Sequence, residues 1–300
     1  MHILITGGTG FIGQLFIRHS ANDQFTVVSR NPIKAKQQFS DAPQVTEVVE
    51  LEALSSLDAF DAVINLAGEP IIDKRWTPRQ KDVIRASRWS TTDHLVRCFE
   101  NSDNPPDVFI SGSAIGYYGE QGDKQITESL IADANDFSAD LCQQWEQRAQ
   151  QIQDKCRFVI LRTGIVMHPK FGALQRMILP FKMGLGGPIG SGQHYFSWIH
   201  WQDMINGIRY LLDNNQMSGV FNMTAPNPVT NKAFATALGR AVNRPAFMPM
   251  PPFVLSILLG EASELLTVSQ RVLPTALHES GFEFTYTEVN KCLQNLMNDG

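Results

Sequence analysis

The sequence predicts an α/β fold, a doubly wound parallel sheet with a smaller, mostly helical C-terminal lobe. Short apolar runs of strand length alternate with longer helical segments through the first two-thirds of the chain. This alternation is typical of parallel sheets that are covered by helices on both faces. The chain has 300 residues, of which 43% are hydrophobic, so it can bury a large core. Beyond Thr163 the alternation gives way to helical segments and a glycine-rich loop at 184–192.

The individual elements follow from local patterns. Short apolar and β-branched runs predict strands at 2–6, 25–29, 45–51, 62–66, 108–111, 157–161 and 220–223. Helical spacing of apolar residues predicts helices at 11–21, 78–100, 136–155, 202–212, 230–242, 252–266 and 269–279. Pro78 suits a first helical turn, and Gly281 suits the end of the last of these helices.

The segment LITGGTGFIG, residues 4–13, joins the first predicted strand to the first predicted helix. Its three spaced glycines match a dinucleotide-binding fingerprint, which requires this strand-to-helix context. Gly7 permits the tight turn, Gly10 allows a pyrophosphate to approach the backbone, and Gly13 lets the helix pack on the sheet. The helix N-terminus offers free N–H groups to the phosphates. The predicted cofactor residues here are Thr6, Gly7, Thr9, Gly10, Phe11, Ile12 and Gly13.

The end of the second predicted strand indicates which dinucleotide binds. An NAD-selective site places an acidic residue there, about 20 residues further on, to bind the ribose 2′-hydroxyl. This chain has Ser29 and Arg30 instead. A guanidinium can bind a 2′-phosphate in a fork, whereas a carboxylate would repel it. We therefore predict NADP(H) as the preferred cofactor over NAD(H); the alternative is that Arg30 is only solvated.

These observations predict a domain organisation. An NADP-binding Rossmann domain is expected at 1–163, with residues 195–225 also belonging to it because the strand at 220–223 returns to the main sheet. The remainder of 164–300 is expected to form a C-terminal lobe on the substrate side. The ligand would then lie between the sheet and the lobe.

Composition argues against several other classes of protein. Net charge is −5, with 25 Lys and Arg against 30 Asp and Glu, so a nucleic-acid surface is not expected. The four cysteines form no C-x-x-C pair, and neither a disulfide framework nor a metal site is expected. No signal-peptide pattern and no apolar run of the ~18 residues needed for a membrane span is found. We expect a cytoplasmic monomer or homodimer that acts on a small molecule.

Motifs along the whole chain resemble those of the extended short-chain dehydrogenases/reductases, the family of nucleotide-sugar epimerases and dehydratases. TGGTGFIG is similar to the family's cofactor loop, AVINLAG (62–68) to its fourth strand, FISGSAIGYYG (109–119) to its serine loop and LRTGIV (161–166) to its sixth-strand end. KRWTP, SWIH and SQRVLP resemble an atypical subgroup, described as epimerase-family proteins of unknown substrate. The resemblance adds these residues to the cofactor site: Leu66, Ala67, Gly68, Thr163 and Gly164.

The resemblance also implies a catalytic arrangement that this chain does not complete. Ser113 matches the family's catalytic hydroxyl, which hydrogen-bonds the reacting oxygen. The family then places Y-x-x-x-K on one face of the following helix. In DFSADLCQQWEQ (136–147) both residues are missing. The residues that could stand in their places are Phe137 or Ser138 for Tyr, and Leu141 or Cys142 for Lys.

Two functional hypotheses remain open at this point. In the first, Tyr117 or Tyr118 transfers a proton beside Ser113, with Lys74 or Arg75 as the cation that a phenol of pKa about 10 needs. The chain would then be an NADP(H)-dependent oxidoreductase or epimerase acting on an oxygen-bearing carbon of a small molecule, with sugar derivatives among the candidates. In the second, the tyrosines only pack, and the chain is a non-catalytic NADP(H)-binding regulatory or redox-sensing protein.

Substrate contacts are predicted beyond the fourth strand, where α/β sheets bind their ligands. Glu69, Arg75 and Trp76 lie there, and an Arg–Trp pair suits an anionic or ring-shaped substrate. Trp198 is predicted to line the cleft between the lobes. Ile165 stands where sugar-nucleotide epimerases tend to carry an Asn for the substrate phosphate, so a nucleotide-sugar substrate does not follow from the resemblance.

Overall fold

The structure is a computed structural model that describes residues 1–298. The strands are β1 (His2–Thr6), β2 (Gln24–Val28), β3 (Val45–Val49), β4 (Ala62–Asn65), β5 (Val108–Ala114), β6 (Gln125–Ile126), β7 (Arg157–Thr163), β8 (Ile165–Met167), β9 (Tyr195–Phe196), β10 (Trp198–His200), β11 (Gly219–Met223), β12 (Val229–Thr230) and β13 (Arg271–Val272). The helices are α1 (Phe11–Arg18), α2 (Pro32–Gln38), α3 (Pro78–Glu100), α4 (Phe137–Ala149), α5 (Gly172–Lys182), α6 (Trp201–Asp213), α7 (Asn231–Ala241), α8 (Pro252–Leu259), α9 (Thr275–Glu279) and α10 (Val289–Asn298). Short 3-10 helices lie at Leu51–Ala53, Ile115–Tyr118, Gln150–Ile152 and Gly260–Leu266.

The main sheet has seven strands within residues 1–298, in the order β3-β2-β1-β4-β5-β7-β11. Every neighbouring pair in it is parallel. The order reverses between β1 and β4, and a ligand of such a sheet binds in the crevice beyond the carboxyl ends at this point. The structure confirms the predicted doubly wound α/β fold, and β11 joins the sheet at its edge.

Both faces of the sheet are covered, which explains why its strands are apolar nearly throughout. Alternate residues of β1 enter different cores. Ile5 packs with Phe16 of α1 and Ile208 of α6, whereas Leu4 packs with Leu95 of α3. These two cores fix the ends of β1, β4 and β5 relative to each other.

A third core forms the C-terminal lobe. Its buried residues come from α5, α7 and α10 and surround the fully buried Trp198. Small two-stranded pairings, β8 with β10, β9 with β12 and β6 with β13, tie the lobe to the loops that follow the main sheet. The lobe therefore sits over the carboxyl ends of β5 and β7.

The helix predicted at 269–279 is wrong in its first half. Arg271 and Val272 form β13, which pairs in parallel with β6, and helix α9 begins only at Thr275. The pairing is supported by long-range bonds: the Ser197 hydroxyl donates to the Gln270 carbonyl at 2.7 Å and accepts from the Val272 N–H at 2.9 Å. Contacts between distant segments have overridden the local helical pattern.

Candidate functional site

The glycine-rich loop brings β1, β4 and α1 into direct contact. Gly7 has φ +68°, and a Cβ on it would stand 2.3 Å from the Leu66 carbonyl oxygen. A Cβ on Gly13 would stand 2.5 Å from the Gly7 oxygen. Beside them the Thr6 hydroxyl accepts from the Ala67 N–H at 3.2 Å. Both glycines are required here because any side chain would clash with backbone atoms that cannot move aside.

The start of α1 is open to an anion. Gly10 is its N-cap and gives no side-chain hydrogen bond, so the N–H groups of the first turn, which includes Phe11 and Ile12, have no cap. The carbonyl of Thr9 is occupied elsewhere, because it accepts from Gln38 Nε2 at 3.1 Å. Free N–H groups and the positive end of the helix dipole suit a pyrophosphate. The loop therefore fits the dinucleotide that its sequence predicts.

The end of β2 presents a cation to the same crevice. The Arg30 side chain is 87% exposed, and its Nη2 lies 3.7 Å from Glu69 Oε2. Lys74 Nζ lies 3.1 Å from the other Glu69 oxygen. Ser29 accepts from the Asn31 N–H at 3.1 Å. Glu69, predicted as a substrate contact, is thus held toward the Arg30 side of the crevice.

A cleft of about 500 Å³ opens where β5 and β7 end beneath the lobe. Thr163 and Gly164 line it; their role as cofactor contacts, which the resemblance implies, stays a prediction. The sheet side also contributes Ala114, and α4 contributes Ser138 and Cys142. The lobe side and loops contribute apolar residues together with the polar residues Glu120, His194, Asn231, Glu264 and Gln270.

The alternation of side chains along β5 decides which residue faces this cleft. Successive residues of a strand point to opposite faces. Ala114 lines the cleft, whereas the buried Ser113 donates its hydroxyl proton to Glu146 Oε1 at 2.6 Å. The role of Ser113 as the group that holds the reacting oxygen stays a prediction, and its proton is engaged behind the cleft wall.

The register of α4 resolves which residues stand in place of the missing pair. Phe137 and Leu141 are buried against Trp76, whereas Ser138 and Cys142 line the cleft. Burial raises the pKa of the Cys142 thiol to about 11, so it is protonated at neutral pH. The cleft wall, formed on this side by Ala114, Ser138 and Cys142, therefore carries a hydroxyl and a thiol where the resemblance would place a phenol and an ammonium.

Directly behind the cleft wall lies a network of polar side chains that are hydrogen-bonded to each other. Arg162 donates from Nε and Nη2 to the two oxygens of Glu146, at 2.9 Å and 2.8 Å. Its Nη1 donates to the Tyr118 hydroxyl at 3.0 Å, and that hydroxyl donates to Asn222 Oδ1 at 2.8 Å. With the Ser113 bond to Glu146, the network joins β5, α4, β7 and β11.

Both tyrosines that are predicted as proton donors contact Arg162 of this network, which is the layer behind the cleft wall. Tyr118 is fully buried, and burial raises the pKa of its phenol although Arg162 opposes the shift. The Arg162 Cζ lies 3.4 Å from the centre of the Tyr117 ring. Neither tyrosine is among the residues that line the cleft.

The other predicted substrate residues lie outside the cleft as well. Arg75 donates to the carbonyls of Ile257 and Leu258 in α8. Trp76 is buried, and its Nε1 donates to a backbone carbonyl at 2.7 Å. Trp198 is fully buried in the core of the lobe. The residues that do line the cleft are Ala114, Ser138 and Cys142. The alternation of side chains along β5 and the helical periodicity of α4 were the signals in the sequence that could have identified them.

Two further features of the described residues concern metal ions and membranes. Among residues 1–298, no group of three or more His, Cys, Asp and Glu side chains is placed to hold a metal ion. In the same part of the chain, every helix is too short or too polar to cross a membrane.

The sheet, its switch point and the glycine cradle define a dinucleotide-binding protein of the Rossmann type. A model of the NAD dependent epimerase/dehydratase family matches residues 3–224, and a domain of unknown function, DUF1731, matches residues 250–296. This chain belongs to the NAD-dependent epimerase/dehydratase family.

Relatives of this chain match it over nearly its full length. The Arabidopsis thaliana protein "Epimerase family protein SDR39U1 homolog, chloroplastic" is 38% identical over 303 residues, which cover 99% of this chain and 87% of that protein. "Epimerase family protein YfhF" of Bacillus subtilis (strain 168) is 38% identical and covers 100% and 99%. The crystal structure of human epimerase family protein SDR39U1 (isoform 2) with NADPH superposes with a TM-score of 0.91, at 31% identity and 100% coverage of both chains.

Proposed function

We propose that this chain binds NADP(H) in preference to NAD(H) and is an oxidoreductase or epimerase that acts on an oxygen-bearing carbon of a small molecule. The observation that carries the proposal is the glycine cradle at the carboxyl end of β1, together with a cleft of about 500 Å³ at the carboxyl ends of β5 and β7 in the same sheet. The human relative with a TM-score of 0.91 was crystallised with NADPH, which supports the same cofactor here.

The residues that would hold the cofactor are those of the cradle and of the strand ends. The N-terminus of α1 would bind the pyrophosphate, and Arg30 would bind the 2′-phosphate through its exposed guanidinium. Thr163 and Gly164 would lie at the nicotinamide end. When bound, the nicotinamide would give or take a hydride at the cleft.

The residues proposed for proton transfer differ from those predicted from the sequence. Ser113 and Tyr118 are fully engaged in the network behind the wall, so we assign them to its support. The ionisable residues that line the cleft are Glu120, Asp136, Cys142, His194, Tyr195 and Glu264. Burial lowers the pKa of His194, so its imidazole is neutral at pH 7 and can accept a proton.

The cofactor assignment is tested by titrating the full chain with NADPH and NADH, using energy transfer from tryptophan to the nicotinamide. Arg30→Ala should weaken NADPH binding about 10- to 100-fold, the loss expected for hydrogen bonds to a charged group, and leave NADH binding unchanged. Lys36→Ala, a change at an exposed residue of α2, should alter neither. Equal loss of both dinucleotides in Arg30→Ala would refute the assignment.

A second candidate function is a non-catalytic NADP(H)-binding regulatory or redox-sensing protein. It is favoured by the wall residues Ala114, Ser138 and Cys142, which replace the usual catalytic side chains. Oxidation of NADPH in the presence of a panel of ketones, aldehydes and nucleotide-sugars distinguishes an enzyme from a regulatory protein. Turnover that is lost in a Ser138→Phe variant, which fills the cleft, supports an enzyme. Absence of turnover, together with different hydrogen-exchange protection of the lobe in NADPH and NADP⁺, supports the regulator.

A further inference from the structure

Arg88 of α3 lies against the backbone at the end of β4. A Cβ on Gly68 would stand 2.8 Å from both Cζ and Nη2 of Arg88. The guanidinium therefore covers the face of Gly68, and only a glycine leaves room for it in this position. Gly68 follows the same strand end that packs on the cofactor loop at Gly7.

The hydrogen bonds of Arg88 use only one of its three nitrogens. Its Nη1 donates to the Glu69 carbonyl at 3.2 Å, to the Ile84 carbonyl at 3.3 Å and to the Ser87 hydroxyl at 3.4 Å. Within residues 1–298 the structure gives Nε and Nη2 no hydrogen-bond partner. In that same part of the chain no carboxylate lies within ion-pair distance of this guanidinium.

The side chain is nevertheless held in place. Its Cζ lies 5.3 Å from the centre of the Trp145 ring, which orients the guanidinium plane. Burial lowers the pKa of Arg88, an effect that the nearby Cys142 and Glu69 oppose. Arg88 is half-buried, and a cation that is partly removed from water without a paired anion costs free energy; such groups cluster at functional sites.

The positive charge of Arg88 lies near the part of α4 where the resemblance would place a lysine. Cys142 stands on α4 where the resemblance would place the lysine, and it faces the cleft. Arg88 is close enough to Cys142 to act on the pKa of the thiol, which it lowers against the effect of burial. The Arg88 charge thus lies between Gly68, at the end of β4, and Trp145 of α4, the helix on which the resemblance would place the lysine.

We propose that Arg88 is a cofactor-binding residue for the nicotinamide half of NADP(H). Its Nε and Nη2 would donate to ribose hydroxyls or phosphate oxygens of that half and supply the positive charge that the absent lysine would carry. This inference rests on the proposed binding of NADP(H). It assigns the adenine half to Arg30 and the nicotinamide half to Arg88, so two ligands can separate their effects.

The experiment measures by calorimetry the affinity of the full chain for NADPH and for adenosine 2′,5′-bisphosphate, which lacks the nicotinamide half. Arg88→Met should weaken NADPH at least about 10-fold and leave the bisphosphate unchanged. Arg85→Met is the matched control, because Arg85 lies one turn earlier on α3 and pairs with Asp82 and Asp140; it should change neither affinity.

Three outcomes are informative. Unchanged NADPH affinity in Arg88→Met, or equal loss of both ligands, would overturn the role of Arg88. If Arg88→Met does not fold, Arg88→Gln keeps a donor for the Glu69 carbonyl without the charge, and the same selective loss is expected; wild-type affinity in that variant overturns the proposal. Failure of the wild-type chain to bind NADPH would instead refute the proposed function.

Discussion

The cleft wall and the layer directly behind it differ sharply in how their polar groups are used. On the wall, the half-buried Ser138 and the buried Cys142 line the cleft beside the apolar Ala114. Behind it, Glu146 and Arg162 are nearly fully buried and satisfy each other through two hydrogen bonds. The difference teaches that a serine or tyrosine in a recognisable motif can be hydrogen-bonded into the scaffold, while less distinctive neighbours line the cleft.

The largest expected effect comes from breaking the ion pair behind the wall. Glu146→Gln leaves the buried Arg162 without a counter-charge, and breaking such a pair costs about 3–5 kcal/mol. Denaturant unfolding should show this loss, while Glu47→Gln on the exposed surface of β3 should stay within about 0.5 kcal/mol. A wild-type midpoint for Glu146→Gln would mean that the layer contributes little to stability.

A pair of serine variants compares the two regions directly. Ser113→Ala removes the donor to Glu146 and should lower the free energy of unfolding by about 1–3 kcal/mol, as for a hydrogen bond to a charged group. Ser138→Ala should change it by less than about 0.5 kcal/mol, because that hydroxyl lies on the cleft wall. Thermal unfolding of both variants measures the two losses in stability. Equal destabilisation by the two substitutions would contradict the distinction between the cleft wall and the layer behind it.

The smallest expected effect is a pH dependence at the edge of the layer. Burial raises the pKa of Glu128, whose Oε1 accepts from the Asn222 N–H at 3.0 Å. The folded state therefore holds this proton more tightly than the unfolded chain. The resulting stabilisation is present below the unfolded pKa of about 4.3 and is lost as pH rises through the folded value.

Glu128→Gln should remove this dependence, because the amide oxygen still accepts from Asn222 but does not ionise. Relative to wild type, the variant should gain stability as pH rises from 4 to 7. The gain should stay below about 1 kcal/mol, since solvent screens a half-buried carboxyl. Chemical unfolding at pH 4, 5.5 and 7 measures it; parallel curves for the two proteins would contradict the assignment.

Regular local patterns made much of the fold predictable. The strand, glycine loop and helix at the start of the chain follow from spacing alone, since Gly7 and Gly13 leave no room for other residues. The bounds of α3 are those predicted, because Pro78 marks its start clearly. By contrast, α2, α5 and α10 were not predicted, and α5 contains Pro180 in its interior, which masks a helical pattern.

The site was harder to predict because one residue of register exchanges the two faces of an element. The resemblance of 109–119 assigns the catalytic hydroxyl to Ser113, whereas the packing of β5 places Ala114 on the cleft and pairs Ser113 with Glu146. Likewise Phe137 and Ser138 are equally plausible in sequence, and the contact of Phe137 with Trp76 decides between them. Arg88 carries no motif, and its nearness to Gly68 exists only in three dimensions.

The position of the network behind the wall has an evolutionary consequence. The hydrogen bonds that join β5, α4, β7 and β11 do not involve Ala114 or Ser138, so these positions can vary at little cost to folding. New reactivity can then arise by drift at the wall, without a compensating change in the scaffold. A library randomised at 114 and 138 should be mostly folded, which circular dichroism and thermal melts of sampled members would measure.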